Sequence, residues 1–304
     1  MLVLVIAVAI VGGLAVWVRV RAAADDTTPG TALVELEVDG LQRSYLLDLP
    51  VDGRADVAHP LLILLHGGGG AAANLDKQTG NLPAMAIAAG YVVARPDGIN
   101  KQWNDGRDVG SDADDLAFMA ALVEDVGARV RIDRARIYAA GISNGAFMSA
   151  RLACEPGSGV AAIAQIAGTI GVDADDACDP DGPVSVLAIL GRDDPIVPYA
   201  GGPVRLPWDR SAAGRGIVLG ADAYVDRWIA RNGATSVAPG AAIAHDATSA
   251  AATAPDGTEV ALVTVAGGGH GWPGGPQYLP EIVIGRVTDS FSASKLILDF
   301  FDRH

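Results

Sequence analysis

The sequence predicts an α/β fold with a mostly parallel central sheet flanked by helices on both faces. Short continuous apolar runs recur along the chain at Leu61–Leu65, Tyr91–Ala94, Ala161–Ile166, Val184–Leu190 and Val260–Val265. Strands buried on both faces read this way. Helix-period segments such as Leu116–Val126 and Ser290–Phe301 lie among them, and that alternation implies parallel strands joined by crossover helices. Several apolar runs also end in glycine-rich segments, among them His66–Gly70 and Gly267–Gly271. Ligands of such sheets bind beyond the carboxyl ends of the strands.

Taken in order, residues 1–18 are almost wholly apolar and are followed by Arg19 and Arg21. With the small residues 22–24, this stretch reads as a signal peptide or an N-terminal membrane anchor over 1–24. Residues 25–30 (DDTTPG) read as a linker, and residues 31–304 as a single catalytic domain. The positive charge follows the apolar run, whereas a signal peptide carries it in front. The expectation is nevertheless export to the periplasm or the extracellular space, with anchoring by residues 1–18 as the alternative. Ala32–Val38 and Ser44–Leu49 alternate around Asp39-Gly40, as an edge hairpin would. Arg136–Ala140 is a strand running into Gly141, and residues 146–153 suit a helix. The alanine-rich stretch 234–254 is weakly patterned and reads as surface loop.

Composition removes whole classes of function. The 304 residues carry 36 acidic and 22 basic side chains, a formal net charge of −14. A nucleic-acid binder needs the opposite footprint, and the field would repel anionic membrane surfaces. A membrane contact is therefore expected only through the N-terminal segment. Half the residues are hydrophobic and 19% are charged, which excludes disorder. Two cysteines allow no disulfide-dense scaffold, and no Cys/His spacing suits zinc. The even count and the export-like start favour one bridge, Cys154–Cys178.

Gly141-Ile142-Ser143-Asn144-Gly145 has the form G-x-S-x-G between a strand and a helix. A sharp strand-to-helix turn there lifts the Ser143 hydroxyl above the sheet, making it a candidate nucleophile. A hydroxyl needs a base and a pocket for the developing charge. The side-chain-free loop after His66 offers backbone N–H groups, as does the N–H of Asn144; no Gly-Lys-Ser/Thr follows, which disfavours a phosphate loop. His66 precedes the serine at a strand end and reads as loop support. His270, in GGGHGW after a buried strand, is the candidate base. The acid lies in GRDDPIV, where Asp193 and Asp194 compete and spacing does not separate them.

These residues make the chain recognisable. LLHGGGG, YVVARPDG followed by QWNDG, Asp114-Asp115, RIDRARIYAAGISNGAFMSARLAC, GRDDPIVPYAGG and GGGHGWPGG together span Leu41 to Phe301. The chain resembles the secreted α/β-hydrolase esterases grouped with poly(3-hydroxybutyrate) depolymerases and feruloyl esterases, of the carbohydrate esterase family one type. The resemblance implies a Ser143–His270–Asp194 triad, since the family acid stands immediately before Pro. It implies Trp103 and Trp272 near the substrate cleft, and it needs neither metal nor organic cofactor. The glycine-rich loop departs from relatives that carry a bulkier residue after His-Gly. The second oxyanion donor beside Asn144 is thus open among Gly67, Gly68 and Gly69, with Gly68 the choice. The implied activity is hydrolysis of carboxylic esters, hydroxyalkanoate polyesters or their oligomers first, feruloyl or acetyl esters of plant polysaccharide second. A catalytically inactive binding protein on the same fold is the reading from a different class.

Overall fold

A computed structural model describes residues 30–50, 57–206 and 215–304, together with a short antiparallel pair, β1 (Leu4–Val5) and β2 (Arg19–Val20). The leader read over 1–24 and the linker read over 25–30 otherwise lie outside the described residues, Gly30 excepted. Among the described residues no helix is long and apolar enough to cross a membrane.

The chain enters the main sheet through an antiparallel hairpin, β3 (Thr31–Val38) and β4 (Leu41–Asp48). Asp39 and Gly40 turn it with positive φ, as the Asp-Gly pair suggests. Strand β5 (His59–Leu65) follows, then helices α1 (Leu75–Gln78) and α2 (Leu82–Ala88), and strand β6 (Val92–Pro96). Next come α3 (Asp115–Arg129), β7 (Ile132–Ile142), α4 (Asn144–Cys154), β8 (Val160–Ile166), α5 (Val172–Asp176) and β9 (Ser185–Gly191). A small pair, β10 (Gly202–Pro203) and β11 (Ile217–Val218), precedes α6 (Ala221–Asn232). Strands β12 (Ser236–Ala244), β13 (Ala247–Thr253) and β14 (Glu259–Val265) lead to α7 (Glu281–Ile284) and α8 (Ala293–Phe301).

The ten-stranded sheet runs β12-β13-β14-β9-β8-β7-β5-β6-β4-β3. Its centre, β14-β9-β8-β7-β5-β6, is parallel, and both margins are antiparallel. Alternation along β5 and β7 divides the core into two layers. Leu61, Ile63, Ile137 and Ala139 pack beneath Phe118 and Leu122 of α3. Leu62, Leu64, Tyr138 and Ala140 face Leu82 of α2 and Ile297 and Phe301 of α8. Because both faces are covered, these strands are apolar throughout.

The stretch 234–254 is not a surface loop. It forms the β12-β13 hairpin, with β13 paired residue for residue onto β14 from Ala247↔Val265 to Thr253↔Glu259. Alanine has little strand propensity and leaves no apolar alternation, so the pairing rests on the backbone ladder. The hairpin turn is tied down by Asp246, whose carboxylate accepts hydrogen bonds from Arg286 (2.8 Å), Thr288 (2.7 Å) and Ser290. Burial alone would raise the Asp246 carboxyl, but the hydrogen bonds from Ser290, Thr288 and Arg286 outweigh it and hold the group well below the usual carboxylate range. A group depressed in the folded state adds stability above its unfolded pKa of about 3.9, and that stability is lost as pH falls toward the folded value. Asp246→Asn should therefore lower the melting temperature at neutral pH, with the gap to wild type closing as pH falls below about 4. A gap that stays constant across the titration would mean the carboxylate charge is not what the turn uses.

Cys154 and Cys178 form a disulfide, Cα–Cα 4.6 Å, joining the end of α4 to the segment after α5. The Asp179 N–H also donates to the Cys154 carbonyl (3.2 Å), so the excursion is held at both backbone and side chain.

Candidate active site

The site starts from a strained turn. Ser143 joins β7 to α4 with φ 56° and ψ −121°, a backbone conformation that costs an L-residue about 1–3 kcal/mol. Its N–H donates to the Ile166 carbonyl of β8 (2.9 Å), and its carbonyl accepts from Phe147 N–H (3.0 Å). Both flanking glycines are sterically required. A Cβ on Gly141 would stand 2.9 Å from Ala146 N and nearer still to Gly145. One on Gly145 would stand 2.6 Å from the His66 carbonyl oxygen. The motif is thus a consequence of packing α4 directly against β5 and β7.

The strand ends of β9 and β14 supply the other two groups. His270 Nδ1 lies 2.7 Å from Asp194 Oδ2, with both side chains buried. The other Asp194 oxygen accepts from the N–H groups of Ile196 (2.8 Å) and Val197 (2.9 Å). Asp193 is exposed, and its N–H donates to the Gly268 carbonyl (2.9 Å). The two loops meet backbone to backbone: a Cβ on Gly191 would collide with the carbonyls of Gly268 and Gly269. The His270 carbonyl accepts from Tyr278 Oη (3.0 Å), and the His270 N–H donates to Ile284 O (2.5 Å), which fixes the histidine loop under the segment preceding α8.

His66 supports its loop. Gly98 N–H donates to His66 Nε2 (3.0 Å), so the proton sits on Nδ1 and faces the Gly67 carbonyl (2.8 Å). Burial lowers its pKa and keeps it neutral. In the loop beyond, the Gly69 N–H donates to Lys101 O (2.8 Å) and the Gly70 N–H to Gly67 O (2.9 Å). Gly69 is therefore committed elsewhere, and Gly67 and Gly68 stay as candidates beside Asn144. Gln102 occupies the space a side chain at 68 would take, its Oε1 2.9 Å from that Cβ position.

Trp103 and Trp272 do not line the cleft. Both are fully buried: Trp103 Nε1 donates to the His66 carbonyl (2.9 Å) and Trp272 Nε1 to Ser294 Oγ (3.0 Å). Each indole is a brace beneath a loop, which is where an aromatic with one polar atom packs well. The cavity itself, about 960 Å³, is lined by Ser143, Asn144, His270 and the loop Gly67–Gly70. Phe147, Ile196, Val204 and Ile284 form an apolar wall, while Lys77, Arg107 and Arg215 also reach the lining. No carboxylate lines it among the described residues.

A centrally parallel sheet bearing a serine elbow, with a histidine and an aspartate on later strand ends, defines an α/β-hydrolase. The family model described as esterase PHB depolymerase matches residues 43–200. The chain is 33% identical over 295 residues to the NocK protein of Nocardia uniformis subsp. tsuyamanensis, covering 92% of this chain and 84% of that one. It is 30% identical over 235 residues to Feruloyl esterase B of Piromyces equi, covering 75% of this chain and 42% of the other. A solved thermostable esterase aligns with a TM-score of 0.47 and 22% identity, over 56% of this chain and 48% of its own. The chain belongs to the esterase PHB depolymerase family, which places it among the carboxylic ester hydrolases.

Proposed function

We propose that this is a serine esterase working through an acyl-enzyme on hydroxyalkanoate esters, short oligomers foremost. The observation that carries the reading is that His270, paired with Asp194, lines the same cavity as the strained Ser143. In this mechanism His270 takes the Ser143 proton as the hydroxyl attacks the ester carbonyl, and Asp194 holds the imidazole with its proton on Nδ1. The oxyanion rests on the N–H groups of Asn144 and Gly68. His270 then protonates the departing alcohol, and water repeats the cycle on the acyl-enzyme.

The lining supports an oligomer. In a chain of net charge −14, Lys77 and Arg215 line the cavity beside Arg107, whose guanidinium is taken by Asp105, and no carboxylate lines it among the described residues. A hydroxyalkanoate oligomer ends in a free carboxylate, which such a lining suits. The names of several relatives favour a second reading, a feruloyl esterase. The disulfide fits work outside the reducing cytoplasm, as a secreted or periplasmic enzyme. An ester panel tests the substrate: kcat/KM should be highest on 3-hydroxybutyrate oligomers and lower on methyl ferulate and acetylated xylan. Preference for methyl ferulate would transfer the assignment to the second reading, and inertness toward all three would overturn both.

A further inference from the structure

Asn144 does more than present a backbone N–H. Its side-chain amide is held on every polar atom. Oδ1 accepts from the Trp103 N–H (2.8 Å), while Nδ2 donates to the Trp103 carbonyl (3.0 Å) and to Asp105 Oδ2 (2.6 Å). Because the Trp103 N–H can only donate, the amide orientation is unambiguous. Asp105 is buried and gathers Arg107 around it, through Nε (3.0 and 3.1 Å), Nη2 (2.6 Å) and the backbone N–H (3.2 Å). Arg107 in turn lies over the Phe147 ring at 3.9 Å and donates to the Arg215 carbonyl (3.0 Å). Room for it is made by glycine: a Cβ on Gly216 would stand 2.9 Å from Arg107 Cβ, and one on Gly171 would strike Arg107 Cγ.

A buried ion pair is a poor way to stabilise a fold, since apolar side chains of similar volume often do as well or better. Here the pair is joined by one hydrogen bond to Asn144, the first residue of α4 and part of the lining of the serine's cavity. We infer that Asp105, held by Arg107, is a positioning residue that aims the Asn144 N–H at the developing oxyanion. The inference rests on the esterase reading above. Trp103 shares the role through its backbone, which explains why a fully buried indole belongs beside the site without touching its cavity.

The test compares p-nitrophenyl acetate with its thiono analogue, in which sulfur replaces the carbonyl oxygen. A well-aimed N–H stabilises the oxyanion far better than the larger, softer thiolate-like sulfur, so wild type should prefer the oxo ester strongly. Losing one oxyanion donor costs about 10²–10³-fold in kcat. Asp105→Ala should therefore lower kcat on the oxo ester by up to about 10²-fold, with KM little changed and the oxo-to-thiono ratio collapsing toward unity. Asp105→Asn, which keeps an acceptor for Asn144, should recover part of both. Rates are normalised to sites labelled by a fluorophosphonate. Should Asp105→Ala fail to fold, Asn144→Ala retains the main-chain N–H, loses the clamp, and carries the same expectation. Equal losses on the two esters, with the ratio unchanged, would overturn the inference and leave the esterase reading standing. A wild-type protein inert toward the oxo ester would instead be a failure of the esterase reading itself.

Discussion

Ser143→Ala should abolish hydrolysis of p-nitrophenyl acetate, with kcat falling on the order of 10⁵–10⁶-fold. Without the hydroxyl no acyl-enzyme forms, and only the oxyanion donors and binding contacts are left to act on a water molecule. The fold should survive. Alanine keeps the Cβ that makes the φ 56° turn strained, and the Ser143 N–H and carbonyl still meet Ile166 and Phe147. Circular dichroism should therefore match wild type, and the variant should refuse a fluorophosphonate label that wild type accepts. Near-wild-type turnover by the folded variant would sink the serine mechanism. A wild-type protein that binds esters, takes no label and turns nothing over would be the inactive binding protein.

How much of this was legible in the sequence depended on whether side chains or backbone carried the structure. Strands such as β5 and β9 are buried on both faces, so their apolar runs mark them within a residue or two. The β12-β13 hairpin was illegible because backbone pairing onto β14 and the Asp246 turn hold it, and neither leaves an apolar signature in an alanine-rich stretch. The same division holds at the site. Ser143 could be read because its turn excludes side chains at Gly141 and Gly145, which writes the requirement into the sequence. The resemblance implies Trp103 and Trp272 near the cleft, but it does not say which loop lies above each indole, and both are fully buried. Asp105 and Arg107 stand two residues apart in a segment already notable for QWNDG. Nothing local reveals that the pair turns inward toward Asn144, 39 positions away.

The acid is the sharpest case, since two adjacent aspartates were equal by spacing and differ entirely in their surroundings. In Asp194 one oxygen is claimed by the N–H groups of Ile196 and Val197, which leaves the other for His270 Nδ1. Asp194→Asn must keep its single carbonyl oxygen on those two N–H donors, because an NH₂ there would face hydrogen against hydrogen. Its NH₂ then confronts His270 Nδ1 and forces the imidazole proton onto Nε2. In that tautomer the histidine offers Ser143 a proton when it should accept one. The expected loss in kcat is about 10⁴-fold, with little change in fold, because every hydrogen bond at position 194 is preserved in number. Asp193→Asn leaves the exposed residue's backbone bond to Gly268 intact and should stay within about twofold of wild type, as surface substitutions usually do. Measuring kcat for the two variants on p-nitrophenyl acetate decides the matter. A severe loss in Asp193→Asn with a mild one in Asp194→Asn would move the acid by one residue and require the Asp194–His270 contact to be rearranged in solution.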